Sequence, residues 1–428
     1  MKRLRLNAAD SSLLALDRFM DDRGRIGRNL VHLVVELDGA ITIADLERGL
    51  GRLLQATPWP AATLRHGFPL FPPYWTASNP VHPRVREFEV DAGDRSAVDR
   101  HLQARLDDPI DPRREAPIRF DVLRASETSR TTLVLTWFHP LMDPRGAENL
   151  IGYLDRLAAE EVNVVWPEGV PDLAAPPLST PWRDRLQQAR SGKQYLDSFR
   201  ETPPPTPTGA EPGAKACFRL TRFVAPDSPD RRHAEMTWRL AVVGRALGRV
   251  FRDRLGDAPF VLPISVDLRK KGDAGPVFGN HLSLHFTRFT PTEDPADTVR
   301  ALRMEMIEAM KEGRHEATMA AIHLIRGLPV SLLAKRMASS TRGALASFHF
   351  ADTGDYRGAR PTFLGATVVN GYHIPTVTPR PGLGLFLNRH GDHENLVVSW
   401  RDGAVSADEV EALIADVGES LEWKRCPE

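Results

Sequence analysis

His139 and Asp143 stand four residues apart in the run HPLMD, where an apolar stretch gives way to a helical pattern. An imidazole suits the removal of a proton near neutral pH, because its unperturbed pKa lies close to the working range. A carboxylate across a short proline-bounded turn can pair with a cation or simply start the turn. A base so placed can take the proton of an alcohol or amine nucleophile as it attacks. The chain has no Gly-x-Ser-x-Gly elbow to supply a serine nucleophile instead. The spacing alone says little: a chain of 428 residues with 14 histidines shows His-x-x-x-Asp about once by chance.

The elements around the pair give it weight. Thr131–Phe138 is apolar on both sides of its alternation, rich in β-branched and aromatic residues, and predicts a buried strand ending at His139. From Gly146 to about Glu160 the spacing is helical. Ahead lies LDDPIDPRREAPIRFDVLRA (Leu106–Ala125), a proline-flanked loop and a second strand that forms a hairpin with the first. Earlier still, Asp10 or Ser11 can cap a first helix. Asn29–Leu37 alternates as a half-buried strand, and Thr42 with Asp45 opens a second helix. A strand over Val85–Val90 and a helix over Ser96–Leu106 complete an α/β unit, residues 1–165.

Residues 166–213 are too proline-rich for core elements apart from a short helical piece, Trp182–Phe199, and predict an exposed linker with few contacts. Residues 214–428 repeat the theme. Strands are expected at Ala216–Val224, Phe260–Leu268, His281–Phe289, Ala344–Phe350 and Thr362–Asn370, with a hairpin at Gly384–Trp400. Helices are expected at Met236–Leu255, Asp297–Glu312 and Glu316–Ala338, and after a capping box at Ser406 and Glu409. His281 and His285 alternate on a strand. His390, Asp392, His393 and Glu394 fall between two strand patterns and read as a solvated hairpin turn, not a metal site.

The run Leu106–Tyr153 resembles the core of the condensation-domain and chloramphenicol-acetyltransferase-like superfamily, whose motif is His-His-x-x-x-Asp-Gly. His139 matches its second histidine and Asp143 its aspartate, while Phe138 replaces the first histidine and Pro144 the glycine. VLPISVDLR (Val261–Arg269) resembles the segment carrying the aspartate's arginine partner, and PVFGNHL (Pro276–Leu282) the "GN" segment that follows. The resemblance implies two similar α/β sandwich domains in a V, with a tunnel between them. It makes His139 the general base, Asp143 and Arg269 a structural pair, and Asn280 and Phe138 substrate-facing. It implies an acyltransferase that takes an acyl-CoA or acyl-carrier-protein thioester as co-substrate, an alcohol or amine as acceptor, and no permanently bound cofactor. A catalytically silent relative that binds a carrier protein or lipid in the same tunnel is the competing reading.

Composition bounds the rest. Fifty-six basic and 56 acidic residues cancel, which argues against nucleic acid or an anionic membrane surface as partner. Cys217 and Cys426 are isolated from each other and from metal-ligand spacings, excluding a disulfide framework and a thiolate zinc site. The basic start breaks into polar residues too early for a signal peptide, and no apolar run is long enough for a bilayer. A cytoplasmic location is the resulting expectation.

Overall fold

The structure is a computed structural model that describes residues 3–20, 25–66, 73–90, 95–125, 130–160, 180–199, 201, 203–209, 211–225, 235–270, 275–338, 344–356 and 361–426. Its first half is built on a six-stranded sheet. In spatial order the strands are Thr362–Phe363, Ala366–Pro375, Leu30–Asp38, Arg130–Phe138, Ile118–Ala125 and Arg84–Val90. Neighbours are antiparallel except the last two, which are parallel. The strand Leu30–Asp38 was expected to be half-buried, yet its burial is nearly continuous on both faces. It lies at the centre of the sheet, with Leu33 in one apolar cluster and Val34 in another on the opposite face.

The second half carries a five-stranded sheet in the order His349–Asp355, Leu383–His390, His393–Arg401, Ala216–Val224 and Lys424–Arg425. Here only the first pair is parallel. A separate antiparallel ribbon, Phe260–Asp267 with Leu282–Phe289, carries the segments expected to hold Arg269 and Asn280.

Several expectations are corrected. Ala366–Pro375 leaves the second half and pairs along Val31–Asp38, so it completes the first half's sheet instead of closing the second. The strand expected over Ala344–Phe350 begins only at His349. The first helix, Ala8–Asp17, is capped by Asn7 in a reciprocal capping box with Asp10, one turn's reach earlier than the expected caps. Glu394 is not solvated at its hairpin turn. It is buried against Arg239, whose guanidinium also holds Asp352.

Within the expected linker, residues 166–179 lie outside the described residues. Its helix, Trp182–Ser198, packs closely on Arg314–Ile325: a Cβ on Gly192 would sit 1.9 Å from the Ala317 carbonyl oxygen. The proline-rich stretch is also tied down, by Thr208 Oγ1 donating to Pro381 and by Arg254 donating to Pro207. Proline removes donors but leaves carbonyls free to accept, so such a stretch can be anchored without joining a sheet.

Candidate active site

The motif strand, Arg130–Phe138, delivers the first candidate residue. Leu133, Leu135 and Trp137 pack into the larger apolar cluster, and Val134 packs on the other face. The backbone then tightens into a 3-10 turn, His139–Leu141, extends at Met142 and enters the helix Pro144–Ala158. Asp143 is that helix's N-cap, its Oδ1 accepting from Gly146 N at 2.8 Å. Pro144 occupies the first helical position, where a missing N–H costs nothing and the fixed φ is already helical. The proline that stands where the resembled motif has glycine is therefore accommodated by the helix start. Trp137 Nε1 donates to the Met142 carbonyl at 2.8 Å, and His139 N donates to the Asn29 carbonyl at 2.9 Å. The turn is fixed from both sides.

A second layer of contacts joins this turn to the ribbon. Asp143 Oδ2 accepts from Arg269 Nη1 at 3.0 Å and from the backbone N of His281 at 2.8 Å. Gly279 N donates to the Leu141 carbonyl at 2.7 Å, and Gly279 forms a bridge with Met142. Its φ of +87° belongs to the region that favours glycine, so the close approach depends on that residue. Asn280 Nδ2 donates both to Asp10 Oδ1, at 2.8 Å, and to the His139 carbonyl, at 3.0 Å. Two segments far apart in sequence, at Asn29 and over residues 269–281, thus converge on the five residues from His139 to Asp143.

Burial works against the charge of Asp143, but Arg269 and the N–H donors outweigh it and hold the carboxyl below its ordinary pKa. The pKa of His139 is lowered too, but here burial is the cause. Desolvation pushes its pKa below 6.5 against the pull of its own carbonyl and of Asp143. A neutral imidazole at pH 7 is the result, the form able to accept a proton.

His139 lies on the wall of a cavity of about 400 Å³ lined by both halves. Much of the wall is apolar, from Leu13 and Leu16 on one side to Leu284 and Phe286 on the other. His373, on the strand that crosses between the halves, shares the wall. Among the described residues neither of its ring nitrogens has a hydrogen-bond partner, and Nε2 lies 3.8 Å from Glu148 Oε1. Burial pushes its pKa down to about 3, so it too is neutral. Arg145 completes this corner, binding Glu148 and the carbonyls of Thr353 and Asp355.

Of the residues singled out from sequence, His139, Asp143 and Arg269 are brought together at the cavity. The two expected to face substrate, Phe138 and Asn280, are not among the residues that line it. Phe138 is wholly buried, its ring edge-on to Trp75 at 6.4 Å. Asn280 is wholly buried too, its side-chain nitrogen donating to Asp10 and to the His139 carbonyl. Sequence reasoning missed Arg145, Glu148 and His373. Arg145 and Glu148 adjoin the motif and were within reach of it, whereas His373 arrives from more than 200 residues away with no local signal.

No protein-family model and no curated protein matches the chain. Solved structures do. The condensation domain of the monacolin K polyketide synthase MokA aligns with 98% of this chain and 97% of its own, at 15% identity and a TM-score of 0.66. The TRI3 trichothecene 15-O-acetyltransferase from Fusarium sporotrichioides covers 98% and 95%, at 13% identity and a TM-score of 0.68. The starter condensation domain of the rhizomide synthetase RzmA, as a double mutant in complex with C8-CoA and Leu-SNAC, covers 98% and 94%, at 13% identity and a TM-score of 0.66. The chain has the condensation-domain and chloramphenicol-acetyltransferase-like fold, two α/β lobes. No helix among the described residues is long and apolar enough to cross a membrane.

Proposed function

We propose that the protein is an acyltransferase, moving an acyl group from a thioester on coenzyme A or a carrier protein to an alcohol or amine. The observation that carries this reading is the placement of a neutral His139 on the cavity wall, at the end of a buried strand, with its backbone held at both N–H and carbonyl. Its Nδ1 is buried, leaving Nε2 as the nitrogen for substrate. In the proposed step Nε2 takes the acceptor's proton as the acceptor's lone pair attacks the thioester carbon. The tetrahedral intermediate collapses by breaking the C–S bond, and the departing sulfur recovers the proton from the imidazolium. Ester or amide and free thiol are the products, with no covalent enzyme intermediate and no resident cofactor.

Asp143 and Arg269 act on the position of His139, not on substrate. Their pair ties the turn to the ribbon, and Asn280 ties the His139 carbonyl to the first helix. The fold shared with condensation domains and an O-acetyltransferase supports the same reading. The test is release of thiol from a panel of acyl thioesters, each with and without alcohol and amine acceptors. Acceptor-dependent release supports acyl transfer. No acceptor-dependent release with any pair would favour the silent, ligand-binding alternative.

A further inference from the structure

The cavity wall that runs from the motif along the first helix and the ribbon is composed for hydrocarbon. The first helix turns Ala9, Ser12, Leu13 and Leu16 toward the cavity, a spacing of three and four residues that marks a single face, and Met20 follows just past its end. The ribbon strand alternates: Leu282, Leu284 and Phe286 line the cavity. Ser283 and His285 point away and pair with His315 and Glu305. The helix of the inter-half connection adds Leu196 and, just past its end, Phe199, whose ring lies 5.7 Å from that of Phe286. Behind them Leu196 packs with Ala8, Met319, Ala321 and Ile322, with Phe286 against the same cluster, closing that end with apolar side chains.

Charge points the same way. The carboxylates on the wall share their arginines: Asp143 and Asp267 bind Arg269, and Asp352 binds Arg239 together with Glu394. None of them belongs to the first helix, the ribbon face of Leu282, Leu284 and Phe286, or the connecting helix. An aminoacyl donor lodged there would bring an ammonium group with no carboxylate beside it, and an unpaired buried charge is strongly disfavoured. Length can also be read off. His281 N is bonded to Asp143, so the ribbon strand starts at the motif and runs away from it. From Leu282 to Phe286 is four residues of strand, roughly 13 Å, the extended length of roughly ten methylenes.

We propose that the donor acyl group is an uncharged aliphatic chain of medium length, lodged between the first helix, the ribbon and the connecting helix, with Leu284 flanking it and Phe199 and Phe286 limiting its length. This rests on the acyl-transfer reading for the chain's role, but the slot can be tested by binding alone. The probes are saturated acyl-CoAs from two to fourteen carbons and a phenylalanyl thioester of coenzyme A, titrated calorimetrically into His139→Ala protein so that turnover does not interfere.

Affinity is expected to rise about fourfold per methylene, about 0.8 kcal/mol, and to level off near roughly ten carbons. Leu284→Trp should move that break to shorter chains, and Phe199→Ala, at a half-buried site that tolerates truncation, to longer ones. A flat dependence on chain length, a break unmoved in the folded variants, or tighter binding of the phenylalanyl thioester overturns the proposal. Graded binding without turnover by the wild type for any acceptor would keep the slot and remove the acyl-transfer reading. Turnover of acetyl-CoA with no gain from longer chains would do the reverse.

Discussion

Arg269 Nη1 lies 3.0 Å from Asp143 Oδ2, and the two side chains, 126 residues apart in sequence, are almost closed to solvent. A pair so buried gains little over a well-packed apolar replacement, but removing one partner strands the other, at a cost of about 3–5 kcal/mol. Asp143→Ala and Arg269→Ala are each expected to lower the unfolding midpoint clearly. The double variant should lose less than the two losses added, since neither buried member of the pair is left without the other and Asp267, which also binds Arg269, is part-exposed to solvent. Chemical denaturation of the four proteins checks this, and strict additivity would mean that the residues do not interact.

The same pair sets an acid limit. The folded pKa of Asp143 is depressed, so its contribution is complete above the unfolded value of about 3.8 and is lost as pH falls through the folded value. The stability gap between wild type and Asp143→Asn should be constant above that point and shrink below it. Denaturation midpoints measured from pH 6 downward would show a gap that widens instead if the assignment is wrong.

Activity should follow His139. Its pKa is lowered by burial, and the neutral form is the proposed base. The rate constant kcat/KM is expected to be flat at neutral pH and to fall with acidity through a value below 6.5, since this parameter reports the free enzyme. A single limb at pH 7 or above would point to another base.

Gly146 offers a test of how tightly the motif turn is held. A Cβ there would sit 2.2 Å from the Val277 carbonyl oxygen and 3.3 Å from the Met142 Cβ, neither of them the far end of a flexible side chain that could yield. Gly146→Ala is expected to destabilise by about 1–3 kcal/mol despite the better helix propensity of alanine. It should also depress kcat by shifting the cap at Asp143. Unchanged melting would show that the first turn of the helix can slide away from the ribbon.

The parts of this architecture that were legible in the sequence are those with a local signature. Thr131–Phe138 announced a strand because buried alternation is visible in eight residues, and Ser406 with Glu409 announced a helix because a capping box spans four. Asp143 and Arg269 could be linked only through resemblance, since nothing in either segment specifies a partner so far away. The crossing of Ala366–Pro375 into the other sheet was illegible for a related reason: a strand's pattern fixes which faces are buried, not which sheet buries them. Asn280 shows the limit most plainly. The resemblance of its segment suggests substrate contact, and only the three-dimensional arrangement reveals that Asp10 and the His139 carbonyl already take its two donors.

The central claim is that His139 removes the acceptor's proton, and substitution at that position tests it most directly. With a thioester and acceptor that the wild type turns over, thiol release by His139→Ala should fall by at least about 10²-fold, the usual range for loss of a general base, with the unfolding midpoint little changed. Turnover at the wild-type rate by a folded His139→Ala protein would contradict the account.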